Sequence, residues 1–186
     1  MGRVSQAQAE ENRKRVVDTA SRLFREQGAH VSVADLMKAA GLTHGAFYKQ
    51  FESKEALVDE TTAHAFAELA RRHTAGLERN DGQRDAAQQA LIDVYLSVAH
   101  RDDPADGCPV AALATDIARG SGGDEARRVY TEGVADFADF LATDDQDGIV
   151  RLCTLFGALV LSRATKGSPL SEEILEAAHA DLTETC

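Results

Sequence analysis

The chain has no tryptophan among its 186 residues, few aromatics of any kind at 5%, three prolines and three cysteines. Each shortage removes a class of protein. Cys108, Cys153 and Cys186 are far apart and show neither a CxxC pair nor a Cys/His spacing, which argues against a disulfide framework and a structural zinc site. The longest nearly apolar run, Leu152 to Leu161, is closed by Arg151 and Arg163 and falls short of the roughly 18 to 20 residues that span a bilayer. It predicts a buried helix instead, with Cys153 in the core. The N-terminal MGRVSQAQAEENRKR has no apolar h-region and no small-residue cleavage site, so a cytoplasmic chain without membrane attachment is expected. No GxSxG, P-loop, HExxH or Rossmann glycine pattern occurs, and no acid, base and nucleophile converge by spacing. An enzyme is therefore not expected, and neither a cofactor nor a metal is implied.

What the chain does have is helical periodicity. At 44% hydrophobic and 27% charged residues it reads as an ordinary globular protein long enough to bury a core. No stretch alternates strictly enough for a strand, so the expected fold is all-α with about nine helices. The first covers about residues 10–27, apolar on Val16, Val17, Ala20, Leu23 and Phe24, basic on Arg13, Lys14, Arg22 and Arg25, and stopped by Gly28. Short helices at 33–40 and 44–50 follow. Ser32, with Asp35 three residues on, caps the earlier one and Gly41 closes it, while Thr43 caps the later. Ser53 opens a fourth, long helix to about Arg79. Further helices are expected at 82–101, 109–119, 124–142, 146–165 and 171–183, parted by Pro104 with Gly107, by Gly120, Gly122 and Gly123, by Asp144 with Asp145, and by Gly167 with Pro169.

The net charge of -11 is unevenly spread. Residues 1–54 hold nine Lys/Arg against six Asp/Glu, whereas residues 55–186 hold eleven against twenty-five. Only the first segment can approach phosphate comfortably. Within it, SVADLMKAAGLTHGAFYKQF at 32–51 sets two short helices around Gly-Leu-Thr, the arrangement of a helix-turn-helix. Gly41 makes the turn, Leu42 plugs it, and Ala34, Leu36, Met37, Ala40 and Phe47 are expected to lock the two helices. Thr43, His44, Gly45, Tyr48 and Lys49 are then left for the outer face of the second. Gly45 and Ala46 would permit close approach to a major groove, His44 and Lys49 would meet base edges or phosphates, and Tyr48 a phosphate. Helix starts at Ser32 and Lys54 suit phosphate oxygens.

In the remainder, Phe66, Tyr95, Phe137 and Phe140 fit the lining of a small-molecule pocket, although the same spacing also suits plain core. Cys108 stands before Pro109 at a helix start, where backbone N–H groups and the dipole would lower a thiol pKa. A redox or electrophile sensor is thus an alternative to a packed residue at a sharp corner. His64 and His73 are two and a half turns apart and have no ligand cluster around them. The body also lacks the clustered acids that mark a site for cations.

Leu23, Phe24, Gly28, Val33, Leu36, Ala39, Ala40, Gly41, Leu42, Gly45, Phe47, Tyr48, Phe51, Ser53, Lys54, Glu55 and Leu57 together resemble the TetR family of bacterial transcriptional regulators, over about residues 10–58. The resemblance implies a DNA-binding head at 1–52 and a ligand-sensing and dimerisation body at 53–186. It implies a homodimer, usually a repressor, whose heads occupy successive major grooves of a palindromic double-stranded operator until a small-molecule effector alters their spacing. The helix at 53–79 would be the lever, and the last two helices would bundle with their symmetry mates. Leu152, Leu155, Phe156, Leu159 and Val160, with Ile174 and Ala178, are the expected contact residues. The acidic total charge keeps one other reading open, a helical module that docks a protein partner.

Overall fold

The computed structural model describes residues 6–183, and Cys186 lies outside them. Among the described residues there are ten helices and no strand: α1 (Gln6–Gln27), α2 (Val33–Ala39), α3 (His44–Phe47), α4 (Lys54–Arg79), α5 (Arg84–Tyr95), α6 (Val98–Asp102), α7 (Pro109–Ala118), α8 (Asp124–Leu141), α9 (Gly148–Ala164) and α10 (Leu170–Thr183). The tenth arises because the segment expected as one helix at 82–101 breaks at Ser97. Its backbone is extended there, and its Oγ accepts the His100 N–H at 3.1 Å, starting α6 as a separate short helix. Among the described residues no helix is long and apolar enough to cross a membrane.

The ends of the N-terminal helices follow local chemistry. Gly28 and Gly41 adopt φ of 88° and 70°, the left-handed conformation that ends α1 and α2. Ser32 Oγ accepts the Asp35 N–H at 3.1 Å and donates to the Asp35 carboxylate at 2.6 Å. Ser53 Oγ accepts the Ala56 N–H at 3.0 Å to begin α4.

Two cores hold the molecule together. The first joins Val16, Ala20 and Phe24 of α1 to Leu36, Met37, Phe47 and Phe51, and it is completed by Leu57 and Val58 of α4, Leu113 and Ile117 of α7 and Ala126 of α8. A boundary between residues 52 and 53 therefore cuts through one core, because one long helix and two short ones cannot bury enough apolar surface alone. Polar contacts reinforce the junction. Asp116 of α7 accepts the Ala29 N–H at 2.7 Å, and Asp59 of α4 accepts those of Gly123 and Ala126. Arg25, expected on the solvent face of α1, is instead buried: its guanidinium lies 3.5 Å from Glu68 and donates to the Gly107 carbonyl.

The second core packs Ile92, Tyr95, Phe137, Leu141, Leu152, Leu155, Leu159, Leu175 and Leu182. This corrects the expected contact face of α9. Leu152, Leu155 and Leu159 are spent inside the chain, since α9 presents that stripe to α8 and α10, and Phe156, Ile174 and Ala178 are half-buried against the same core. The exposed aliphatic residues of α9 are Ile149, Val150, Val160 and Leu161. Cys153 lies on that outer side and is exposed rather than in the core.

Candidate functional site

α3 is a single turn, shorter than the helix expected to residue 50. Thr43 makes no side-chain cap, and a four-residue helix with Gly45 inside has little stability of its own. It is held from beneath. Phe47 is fully buried and stacks on Phe51 at 5.4 Å between ring centroids. The Arg13 guanidinium of α1 lies 4.4 Å from the Phe51 ring centroid, donates to the Gln50 carbonyl and pairs with Glu60 of α4. One arginine thus ties the end of the turn to two long helices.

The outer side of this turn carries Thr43, His44, Gly45, Tyr48 and Lys49, all exposed. Tyr48 is 62% exposed, its ring set edgewise to His44 and Phe47. A Cβ placed on Gly45 would meet nothing within 4 Å, so the turn is bare where a groove wall would approach. Ala46 differs from expectation by packing inward, and Ala34 is exposed rather than part of the lock. Ser32 is exposed at the start of α2 and Lys54 half-exposed at the start of α4.

A cavity of about 410 Å³ lies among α4, α5, α8 and the segment leading into α7. Tyr95, Cys108, Phe137 and Phe140 line it, beside Leu69, Leu91 and Val94. Phe66 does not. It packs on Gly133 of α8, where an added Cβ would fall 2.0 Å from its ring, and lies nearly perpendicular to the Tyr130 ring at 5.5 Å between centroids. Arg72, His73, Gly76, Arg79, His100 and Asp106 also line the cavity, and the apolar pattern of the sequence could not single them out.

The floor of the cavity is uncharged. His73 lies parallel to Phe140 at 4.6 Å and 4.7 Å from Phe137, with its Nε2 buried and unpaired. Burial lowers its pKa from 6.5 to about 4, so the ring is neutral at neutral pH. The Tyr95 hydroxyl is likewise buried, beside the Cys108 thiol, and burial pushes its pKa up. Cys108 departs from the lowering expected of a helix start: burial raises the thiol pKa and outweighs the Ala111 N–H, the Tyr95 hydroxyl and the Val110 N–H, which pull it down. The helix start is present, but desolvation of the thiolate costs more than the dipole returns.

His73 links this floor to acid stability. Between pH 6.5 and about 4 the unfolded chain protonates His73 while the native chain does not, so native stability falls as pH falls through that window. Between pH 7 and 4.5, wild type is expected to lose roughly 2 kcal/mol more than His73→Phe, as read from urea unfolding. Equal losses in both proteins would show that His73 is free to protonate in the fold.

The segment before α7 touches both cavity and head. Asp106 and Cys108 line the cavity, the Asp106 carboxylate pairs with Arg22 of α1 at 2.5 Å, and its carbonyl accepts from Arg72 of α4 at 2.8 Å. Gly107 accepts from the buried Arg25.

A bare single-turn helix on a small helical head, joined through one long helix to a larger body with a cavity, is the layout of a helix-turn-helix protein. Residues 16–61 match the family described as bacterial regulatory proteins, tetR family. That match covers the head, whose helix-turn-helix is thus similar to that of the TetR family. Over 61 residues it is 41% identical to the HTH-type transcriptional regulator AcrR of Shigella flexneri, covering 32% of this chain and 28% of AcrR. Over 121 residues it is 31% identical to an uncharacterized HTH-type transcriptional regulator of Mycobacterium tuberculosis strain H37Rv, covering 62% of this chain and 56% of that protein. The chain thus spans about a quarter to about half of the curated relatives it matches. Among solved structures, reduced NemR of Escherichia coli superposes with a TM-score of 0.75 over 94% of this chain and 96% of its own, at 20% identity. A TetR regulator from Legionella pneumophila gives 0.74 over 100% and 99%, at 16% identity. At such identities these likenesses speak for the fold alone.

Proposed function

We propose that the chain is a cytoplasmic repressor that binds a palindromic operator as a homodimer and releases it when a small molecule enters the α4/α5/α8 cavity. The observation that carries the reading is the α3 turn: Thr43, His44, Gly45, Tyr48 and Lys49 face solvent above a floor made rigid by Phe47, Phe51 and Arg13. Lys49 and His44 supply donors for base edges or phosphates, and Gly45 lets the backbone approach closely. Ser32 and Lys54 stand at neighbouring helix starts, suited to positioning contacts. The Ser32 hydroxyl is engaged by Asp35, so the α2 start offers backbone N–H groups more than that side chain.

Dimerisation is supported by Ile149, Val150, Val160 and Leu161, which repeat at helical spacing along one side of α9 and stand exposed. Such a stripe is costly to leave in water. Release by ligand is supported by the Asp106–Cys108 segment, which is at once cavity wall and anchor for Arg22 and Arg25 of α1. A ligand that moves the wall changes what holds α1, giving the two sites a shared element.

The test is titration of the purified chain against its own upstream DNA across a salt series. Tight, selective binding with two chains per site is expected. Lys49→Ala should weaken it across all sequences and lower the salt slope by about 1, while His44→Ala should relax selectivity. Absence of selective binding at low salt would reject the regulator and favour a head that docks protein.

A further inference from the structure

The mouth of the cavity carries an unusual charge for its surroundings. Residues 55–186 hold eleven Lys/Arg against twenty-five Asp/Glu, so a basic side chain in this body has acids in excess to pair with. Arg72 and Arg79 nonetheless line the mouth, both exposed, with no carboxylate of the described residues at ion-pair distance from either. Arg72 uses one nitrogen on the carbonyl of Asp106, leaving its charge uncompensated. The carboxylate of Asp106, the acid of the lining, is occupied by Arg22. Arg163, behind Gly107, also donates only to carbonyls, those of Arg101 and His100. At His100 burial lowers the pKa first, the Tyr95 carbonyl raises it, and Arg163 and Arg72 lower it further against a smaller opposing pull from Asp103.

The remainder of the cavity is of opposite character. Leu69, Leu91, Phe137 and Phe140 line it with His73, whose ring stays neutral to about pH 4. A charge placed there would be desolvated without a partner. The spacing of Arg72, Gly76 and Arg79 sets two guanidinium groups on one side of α4 with a residue lacking a side chain between them.

We propose that the effector of this cavity is an amphipathic organic carboxylate. Its apolar body, aromatic or aliphatic, lies between Leu91 and the Phe137/Phe140 wall, and its carboxylate stays at the mouth on Arg72 and Arg79. The geometry disfavours cations, which would meet two like charges, and sets neutral analogues at a disadvantage, since they leave both guanidinium groups unanswered. The inference rests on this cavity being the effector site and names the chemistry it selects.

The experiment uses the full chain and three probes of one shape: 2-naphthoate, 2-naphthalenemethanol and 2-naphthylmethylammonium, with binding measured by calorimetry without DNA. The carboxylate is expected to bind about tenfold tighter than the alcohol at low salt, and the ammonium more weakly than either. Arg72→Gln with Arg79→Gln should erase the preference for carboxylate and leave the affinity for the alcohol unchanged. Leu91→Trp, which fills the cavity, should abolish both. Equal binding of acid and alcohol, tighter binding of the ammonium, or no binding of any probe would overturn the proposal. Because no DNA is present, these results stand apart from the operator titration. A carboxylate preference without operator binding would keep the ligand class and reject the repressor, and the converse would reject the ligand class alone.

Discussion

Phe47→Ala is expected to abolish operator binding and to lower the stability of the head by about 3–5 kcal/mol. Phe47 is fully buried and is the sole large apolar side chain of α3, a helix of four residues. It reaches Phe51 by stacking and Tyr48 by an edge contact at 5.1 Å. Its removal opens a cavity in the core where Leu36, Met37, Leu57 and Leu113 meet. The turn then has no anchor, and the groups on its outer side lose the fixed spacing that base reading requires. Urea unfolding and operator titration on the same preparation check both halves. Phe47→Leu should keep most of the stability, because it refills much of the volume. A Phe47→Ala protein that binds the operator as wild type would show that α3 is positioned from elsewhere.

Gly148→Ala is expected to be nearly as damaging, at about 3 kcal/mol, for the opposite reason. A Cβ at Gly148 would lie 1.9 Å from the Ala138 carbonyl oxygen and 2.8 Å from its carbon. Both are backbone atoms of α8, so no side chain can swing aside. The first turn of α9 must lift from α8, disturbing Leu141, Leu152 and Leu155 behind it. Since α9 also bears Ile149 and Val150, the outer stripe tilts with it, and the proposed dimer is expected to weaken along with the fold. Urea denaturation and sedimentation measure the two effects. Unchanged stability would mean that the α8/α9 approach is looser than this contact requires.

The N-terminal region was the most legible part of the chain. Ser32 with Asp35, Gly28, Gly41 and Ser53 act within three or four residues of themselves, and each does in the fold what its local chemistry predicts. The TetR family resemblance over residues 10–58 lies in this same stretch and agrees with the match at 16–61. Legibility failed where two elements distant in sequence meet. α9 is apolar on nearly every side, so no periodicity distinguishes Leu152 and Leu155, turned inward, from Ile149 and Val150, turned outward. Arg25 reads as one more basic residue of α1 until Glu68 and the Gly107 carbonyl close over it. Phe66 was a reasonable pocket aromatic, but Gly133, far along the chain, offers it a place on α8.

The amino-acid order by itself determined the helical class, the ends of α1 and α2, the start of α4, the polar outer turn and the TetR likeness of the head, because these depend on backbone conformation and on neighbours a few residues away. Tertiary structure alone decided which apolar residues were consumed inside, that burial would raise the Cys108 thiol rather than activate it, and that Arg72 and Arg79 would stand unpaired at a cavity with a neutral floor. Solvation and pairing belong to the space between helices, and that space exists only after residues dozens of positions apart have docked.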